Sequence, residues 1–246
     1  MSEHKKCALI TGAAQRIGAA ITHELHRRDF NVIIHYRESH LAATQLANTL
    51  NTLRADSAIC LQADLCSATE TRQLAMAAMD AWGRLDVLVN NASSFYPTPI
   101  GHASEQDWHA LIDSNLKGPF FLTQALADAL KKTQGCIINL IDIYAANPML
   151  EHSIYCIAKA GVSMMTKALA KEFAPYIRVN GISPGAILWP EKPLSEAQKS
   201  TAVAKIPMQK IGDPIDIART VAFIACDAPY ITGQIIAVDG GRSLSM

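Results

Sequence analysis

Cys7-Ala-Leu-Ile10-Thr11-Gly12-Ala-Ala-Gln-Arg16-Ile17-Gly18 decides the fold of this chain. Four apolar residues read as a buried strand, and two glycines mark a tight turn. A helical pattern then runs from Arg16 to Arg28. A glycine-bearing turn between a strand and a helix lets backbone approach a pyrophosphate, and the helix N-terminus adds free N–H groups and a positive dipole. The pattern lacks a central glycine, because Arg16 stands there. Taken alone it is equally an ordinary strand-to-helix turn; its place at the first such junction favours a nucleotide.

The same alternation continues along the chain. Apolar runs at Asn31–His35, Ser57–Leu61, Asp86–Asn90, Cys136–Ile141, Arg178–Ile182 and Gln234–Val238 read as further strands. Their apolar density suits a parallel sheet covered on both faces. Helical patterns fall at His40–Leu53, Ala68–Ala81, Glu105–Ala129, Ile154–Phe173 and Pro214–Cys226. Ser67-Ala-Thr-Glu70 has the form of a capping box, and Pro214 suits a first helical turn. The expectation is a single-domain α/β chain over residues 1–246, a doubly wound Rossmann fold with a mostly parallel seven-stranded sheet. Ser183-Pro-Gly-Ala-Ile-Leu-Trp-Pro-Glu-Lys-Pro-Leu194 breaks the rhythm, and residues 186–204 are expected to form a substrate lid, with a plain surface loop as the alternative.

Composition narrows the partners. The chain has 246 residues, half of them apolar, and a formal net charge of zero. Without a basic run, neither nucleic acid nor an anionic membrane is an expected partner. No apolar run reaches the length of a membrane span, and the first residues lead straight into a strand, so a cytoplasmic protein is expected. The six cysteines form no Cys-x-x-Cys and read as reduced thiols, with no metal site.

At the end of the second strand stand His35, Tyr36, Arg37, Glu38 and Ser39. An acidic residue at this point would accept from a ribose 2′-hydroxyl; a cation with hydroxyls suits a 2′-phosphate, so the expected cofactor is NADPH. Asp64 follows the third strand, placed either to accept from an adenine amino group or to cap a helix. Asn90-Asn91-Ala92-Ser93 follows the fourth, at the edge where α/β sheets bind ligands. Tyr155 and Lys159 lie four apart, on one face of a helix. The ammonium is expected to lower the phenol pKa so that the pair passes a proton near neutrality. Asp142 lies thirteen residues before Tyr155, just beyond an apolar run.

Thr11-Gly12…Gly18, Asp64, Asn90-Asn91-Ala92, Asn115, Tyr155-x-x-x-Lys159, Pro184-Gly185 and Val238-Asp-Gly-Gly241 occur in that order. In this the chain resembles the short-chain dehydrogenase/reductase superfamily along nearly its whole length. Four features resemble one branch, the pteridine reductases, which reduce pterins and folates with NADPH. They are Arg16 in place of glycine, His35-Tyr36-x-x-Ser39, the run Ser93-Ser94-Phe95-Tyr96-Pro97, and Asp142 in place of the usual serine. The resemblance implies cofactor contacts at Gly12, Arg16, Ile17, His35, Tyr36, Arg37, Ser39, Asp64, Leu65, Asn91, Ala92, Tyr155, Lys159, Pro184 and Gly185. It implies substrate contacts at Arg16, Ser93, Phe95, Asp142 and Tyr155, with Phe95 stacked on one face of the pterin.

Within that resemblance Tyr155 donates the proton, Asp142 positions it or feeds it, Lys159 holds the nicotinamide ribose, and Asn115 supports a water near Lys159. A homotetramer built on the helices at 113–129 and 154–173 is implied as well. In some relatives a basic residue at the C-terminus of a neighbouring subunit reaches the pocket; here the tail ends Arg242-Ser-Leu-Ser-Met246. Two rival readings are a carbonyl reductase of the same superfamily, acting for example on a 3-oxoacyl thioester, and a non-catalytic NADPH-sensing module.

Overall fold

A computed structural model describes residues 5–189 and 195–245. Seven strands form one parallel sheet: β1 (Cys7–Ile10), β2 (Asn31–Tyr36), β3 (Ala58–Gln62), β4 (Val87–Asn90), β5 (Cys136–Leu140), β6 (Arg178–Pro184) and β7 (Ile235–Val238). Their spatial order is β3-β2-β1-β4-β5-β6-β7. The chain winds outward one way from β1 and then the other way from β4. The crevice between these two central strands is where such sheets bind ligands.

The helices are α1 (Arg16–Arg27), α2 (His40–Leu53), α3 (Ala68–Trp82), α4 (Glu105–Ile112), α5 (Gly118–Thr133), α6 (Ser153–Phe173), α7 (Glu196–Ala204) and α8 (Pro214–Cys226). Side chains alternate across a strand. Ala8 and Ile10 therefore enter the core under α1, α2 and α8, while Cys7 and Leu9 enter the core under α3, α5 and α6. All four are fully buried. That double burial is why the strands read as unbroken apolar runs.

The expected helix at Glu105–Ala129 is interrupted. A π-helical turn, Asp113–Lys117, joins α4 to α5 and carries Asn115 at its middle. Hydrophobic spacing alone cannot distinguish this wider turn from a continuous helix. The capping box at Ser67 is only half formed. Ser67 accepts from the Glu70 N–H, but the Glu70 carboxylate accepts from the Asp64 N–H at 2.8 Å. Pro214 opens α8 as expected, beside an Asp213/Asp216 capping box. The expected lid at 186–204 contains α7, started by a Ser195/Gln198 capping box, and residues 190–194 of it lie outside the described residues. Among the described residues no helix is long and apolar enough to cross a membrane.

Candidate active site

The turn after β1 sets the floor of a cleft of about 430 Å³ at the β1/β4 crevice. Gly12 has φ +59°, and a Cβ there would lie 2.9 Å from the Cα of Ala92. Gly18 packs so tightly under the turn that its Cβ would meet the Gly12 carbonyl oxygen at 2.2 Å. Arg16 takes a positive φ of 54° without being a glycine, at a cost of about 1 kcal/mol. A strained residue at the mouth of a cleft points to use of its side chain. No side chain caps α1, and its first turn holds no acidic residue. Its leading N–H groups thus suit a phosphate at the mouth of the cleft.

Two polar residues fix this turn. The Asn91 amide donates to the carbonyls of Thr11 and Gly12 at 2.8 and 3.0 Å. Thr11 Oγ1 accepts from the N–H groups of Asn91 and Ala92. His35 does not line the cleft; it is buried beneath the turn. Its Nδ1 accepts from the Gly12 N–H at 3.1 Å, which leaves the proton on Nε2 to donate to the Ala63 carbonyl. Burial pushes its imidazole down to about 4. His35, expected at the cofactor, is therefore a neutral brace for the loop that would meet the cofactor.

Tyr36, Arg37, Glu38 and Ser39 line the far end of the cleft. Arg37 is exposed and pairs with Glu38 at 3.1 Å, so the carboxylate is directed at its neighbour. Ser39 starts α2 without a side-chain capping bond, and the Tyr36 hydroxyl bonds to His40 at 2.8 Å. Asp64 and Leu65 line the same cleft; Asp64 also accepts from the Cys66 N–H, the capping alternative. Arg16, Ile17, Asn91, Ala92 and Ser93 complete its wall. Pro184 and Gly185 stand at the carboxyl end of β6, where Gly185 packs against Asp239 rather than in this cleft.

Beyond Ser93 lies the second part of the site. Tyr155 Oη donates to Asp142 Oδ2 at 2.7 Å, while Asp142 Oδ1 accepts from the Tyr144 N–H at 2.9 Å. Lys159 is buried one turn along α6; its Nζ donates to the Leu140 carbonyl at 2.9 Å and lies 5.7 Å from the Tyr155 ring centre. Ser93 reaches Tyr155 and also donates to Asn115 Oδ1 at 2.7 Å.

Here the electrostatics reverse one expectation. Burial, then the charge of Asp142, pushes the Tyr155 phenol far above its usual value, so Lys159 does not bring it near neutrality. Burial also brings the Lys159 ammonium down to about 8, against the pull of Asp142. Asp142 itself is raised by burial, against hydrogen bonds from Tyr144 and Tyr155 and the charges of Lys159 and Arg242. The titratable member of the cluster nearest the neutral range from below is thus the carboxyl group.

The Asn115 amide donates to the Ser94 and Leu111 carbonyls, both at 2.9 Å, and its oxygen takes Ser93. The π turn thus lets the Asn115 side chain anchor the 93–94 loop. Phe95 is 53 % exposed, which removes a core role. It stacks on His152 at 4.7 Å and meets Tyr155 edge-on at 4.8 Å.

Four participants were not singled out from sequence: Thr11, His152, Tyr144 and Arg242. Thr11 was within the quoted turn. Tyr144 and Arg242 adjoin Asp142 and the Asp-Gly-Gly run, but only folding joins them, through a 3.2 Å bond from Arg242 to the Tyr144 hydroxyl.

Comparison with known proteins places this geometry among reductases. Residues 12–243 match the family described as enoyl-(acyl carrier protein) reductase. Pteridine reductase 1 of Leishmania tarentolae is 37% identical over 97% of this chain and 96% of its own length. The 3-oxoacyl-[acyl-carrier-protein] reductase FabG of Staphylococcus aureus (strain Mu50 / ATCC 700699) is 38% identical, over 96% of this chain and 97% of its own. A 3-oxoacyl-[acyl-carrier-protein] reductase of Synechocystis is 36% identical, with 95% of each chain covered.

Proposed function

The chain belongs to the short-chain dehydrogenase/reductase superfamily of oxidoreductases, and from that footing we propose that it is an NADPH-dependent pteridine reductase. Overall identity does not choose between a pterin and an acyl thioester, because the relatives carrying the two names are equally similar. The observation that carries the reading is the bond from Tyr155 to Asp142 at 2.7 Å. A carbonyl reductase develops negative charge on an oxygen beside this phenol, and Asp142, once ionised, repels it. Reduction of a C=N bond needs only a proton delivered to nitrogen.

NADPH, held at the Gly12–Gly18 turn and by Lys159, would supply a hydride to the carbon of that bond. Tyr155 donates its hydroxyl proton to the adjoining nitrogen. A phenol held this far from ionisation is a poor acid by itself, and a bare phenolate beside a carboxylate is costly. When Asp142 carries a proton, a state its burial favours, its carboxyl removes that cost by passing the proton to Tyr155 Oη as the phenol proton leaves. The carboxylate is then reprotonated from water. Lys159 opposes the charge left on Asp142. Phe95 supplies an aromatic face for a flat heterocycle, with His152 stacked behind it.

Preference for NADPH rests on Arg37 and Ser39 at the end of β2, with Glu38 engaged by Arg37. Four copies associating through α5 and α6 fit the exposure of Phe120, Phe121 and Met164 there; light scattering at a monomer mass contradicts it. The test of function is NADPH oxidation with biopterin, dihydrobiopterin, dihydrofolate and an acetoacetyl thioester. Turnover is expected with a pterin or folate. Turnover of the thioester alone selects the carbonyl-reductase reading, and binding of NADPH without any turnover selects the sensor.

A further inference from the structure

The C-terminal tail adds a group to the site that the proton relay above leaves out. After β7 the chain turns at Asp239, whose carboxylate accepts from the N–H groups of Gly241 and Ser243 at 2.9 and 2.8 Å. Gly240 and Gly241 take left-handed φ values, and a short 3-10 turn, Arg242–Ser245, follows. The tail is thereby folded back on itself, with Arg242 half-buried at its head. One guanidinium nitrogen donates to the Tyr144 hydroxyl at 3.2 Å. The backbone N–H of Tyr144 is one of the two donors that hold the Asp142 carboxylate; the other is Tyr155.

We infer that Arg242 is a positioning residue for the Asp142–Tyr155 pair: it fastens the tail to Tyr144 and presents a cation to the carboxylate. The charged and titratable groups facing Asp142 among the described residues are Tyr155 and Lys159 on α6, Tyr144 on the turn after it, and Arg242. Lys159 is committed to the Leu140 carbonyl. Arg242 alone arrives from outside the β5–α6 unit, so it can alter the carboxylate without altering the phenol-bearing helix. Its charge favours ionised Asp142 against the burial that raises the carboxyl, and so lowers the pH above which the relay has no proton to pass. This inference rests on the reductase reading for its consequence in turnover, but not for its effect on the carboxyl group.

The sign follows from electrostatics. Removing a cation makes the carboxylate harder to form, so its titration moves to higher pH. In protein labelled with 13C at aspartate Cγ, the resonance missing from D142N reports Asp142. In R242Q its midpoint is expected to rise by roughly half a pH unit, and in R242K, which keeps the charge, to return most of the way. The alkaline fall in turnover should move with it. Y144F, which cuts the fastening and keeps the cation, should give a smaller upward shift, and it carries the test if R242Q does not fold. An unchanged midpoint in R242Q overturns the inference, as does an equal shift in R242K, because then the charge has no part. An unchanged midpoint in Y144F overturns it where R242Q is unfolded. A shifted midpoint with no pterin turnover leaves the inference standing and removes the pteridine reading instead.

Discussion

The two halves of the cleft solve opposite problems. Beneath Gly12 the bracing groups point inward: Asn91, Thr11 and His35 satisfy the turn's own backbone and carry no charge. Around Tyr155 a carboxyl, a phenol and an ammonium are buried together, and each is pushed away from its ordinary protonation behaviour. The first half is built for a fixed shape, with Asn91 and Thr11 each holding two backbone groups. The second stores electrostatic cost, which is what a proton-transfer site requires. A fold that places the two at the ends of adjacent central strands, β1 and β4, and then β5, can be rigid at one end and reactive at the other.

Substitutions at the reactive half should therefore remove turnover without loosening the fold. Y155F and D142N are each expected to lose 100-fold or more in turnover while retaining NADPH binding. D142N should be no less stable than the parent near neutral pH. The raised carboxyl pKa favours the folded state only while protonated, and that contribution is lost as pH rises through the folded value. A melting temperature well below that of the parent would mean that Asp142 is structural.

The rigid half should show the reverse, a stability effect with a pH signature. The folded pKa of His35 is depressed to about 4 from 6.5, so its contribution is present above 6.5 and is lost as pH falls toward 4. The difference in unfolding free energy between parent and H35Q should shrink by about 3 kcal/mol across that window. A difference that is constant from pH 7 to 4 would show that the ring is not held neutral by the Gly12 N–H. A smaller effect is expected at the outer end of the cleft. R37Q should raise KM for NADPH about tenfold and leave KM for NADH nearly unchanged. Equal effects on both would place the guanidinium away from a 2′-phosphate.

This contrast also divides what could be read from the chain before folding. The buried strands announce themselves because Cys7, Ala8, Leu9 and Ile10 are apolar on both faces, and Thr11-Gly12 to Gly18 marks the turn they feed. The spacing of Tyr155 and Lys159 places them on one helix face, which the structure retains. What sequence could not supply is burial. Lys159 sits on the expected side of Tyr155, yet desolvation and Asp142 outweigh it, so the phenol shifts up rather than down. The π turn at Asp113–Lys117 has no distinct hydrophobic period, and its effect is to bring Asn115 to Ser93 and Ser94. His35 was legible as a strand-end residue but not as one beneath the turn, since Tyr36 next to it takes the cleft-lining place. Arg242 and Tyr144 are 98 residues apart and meet only through the return of the tail.

A carboxyl group held against an aromatic hydroxyl should favour the ring C=N over a thioester ketone, and D142S tests that preference most directly. With NADPH, the ratio of kcat/KM for dihydrobiopterin to that for an acetoacetyl thioester should be high in the parent and fall at least 100-fold in D142S. A parent that prefers the thioester, or a ratio unmoved by D142S, would contradict the assignment of the carboxyl group as the selector of chemistry.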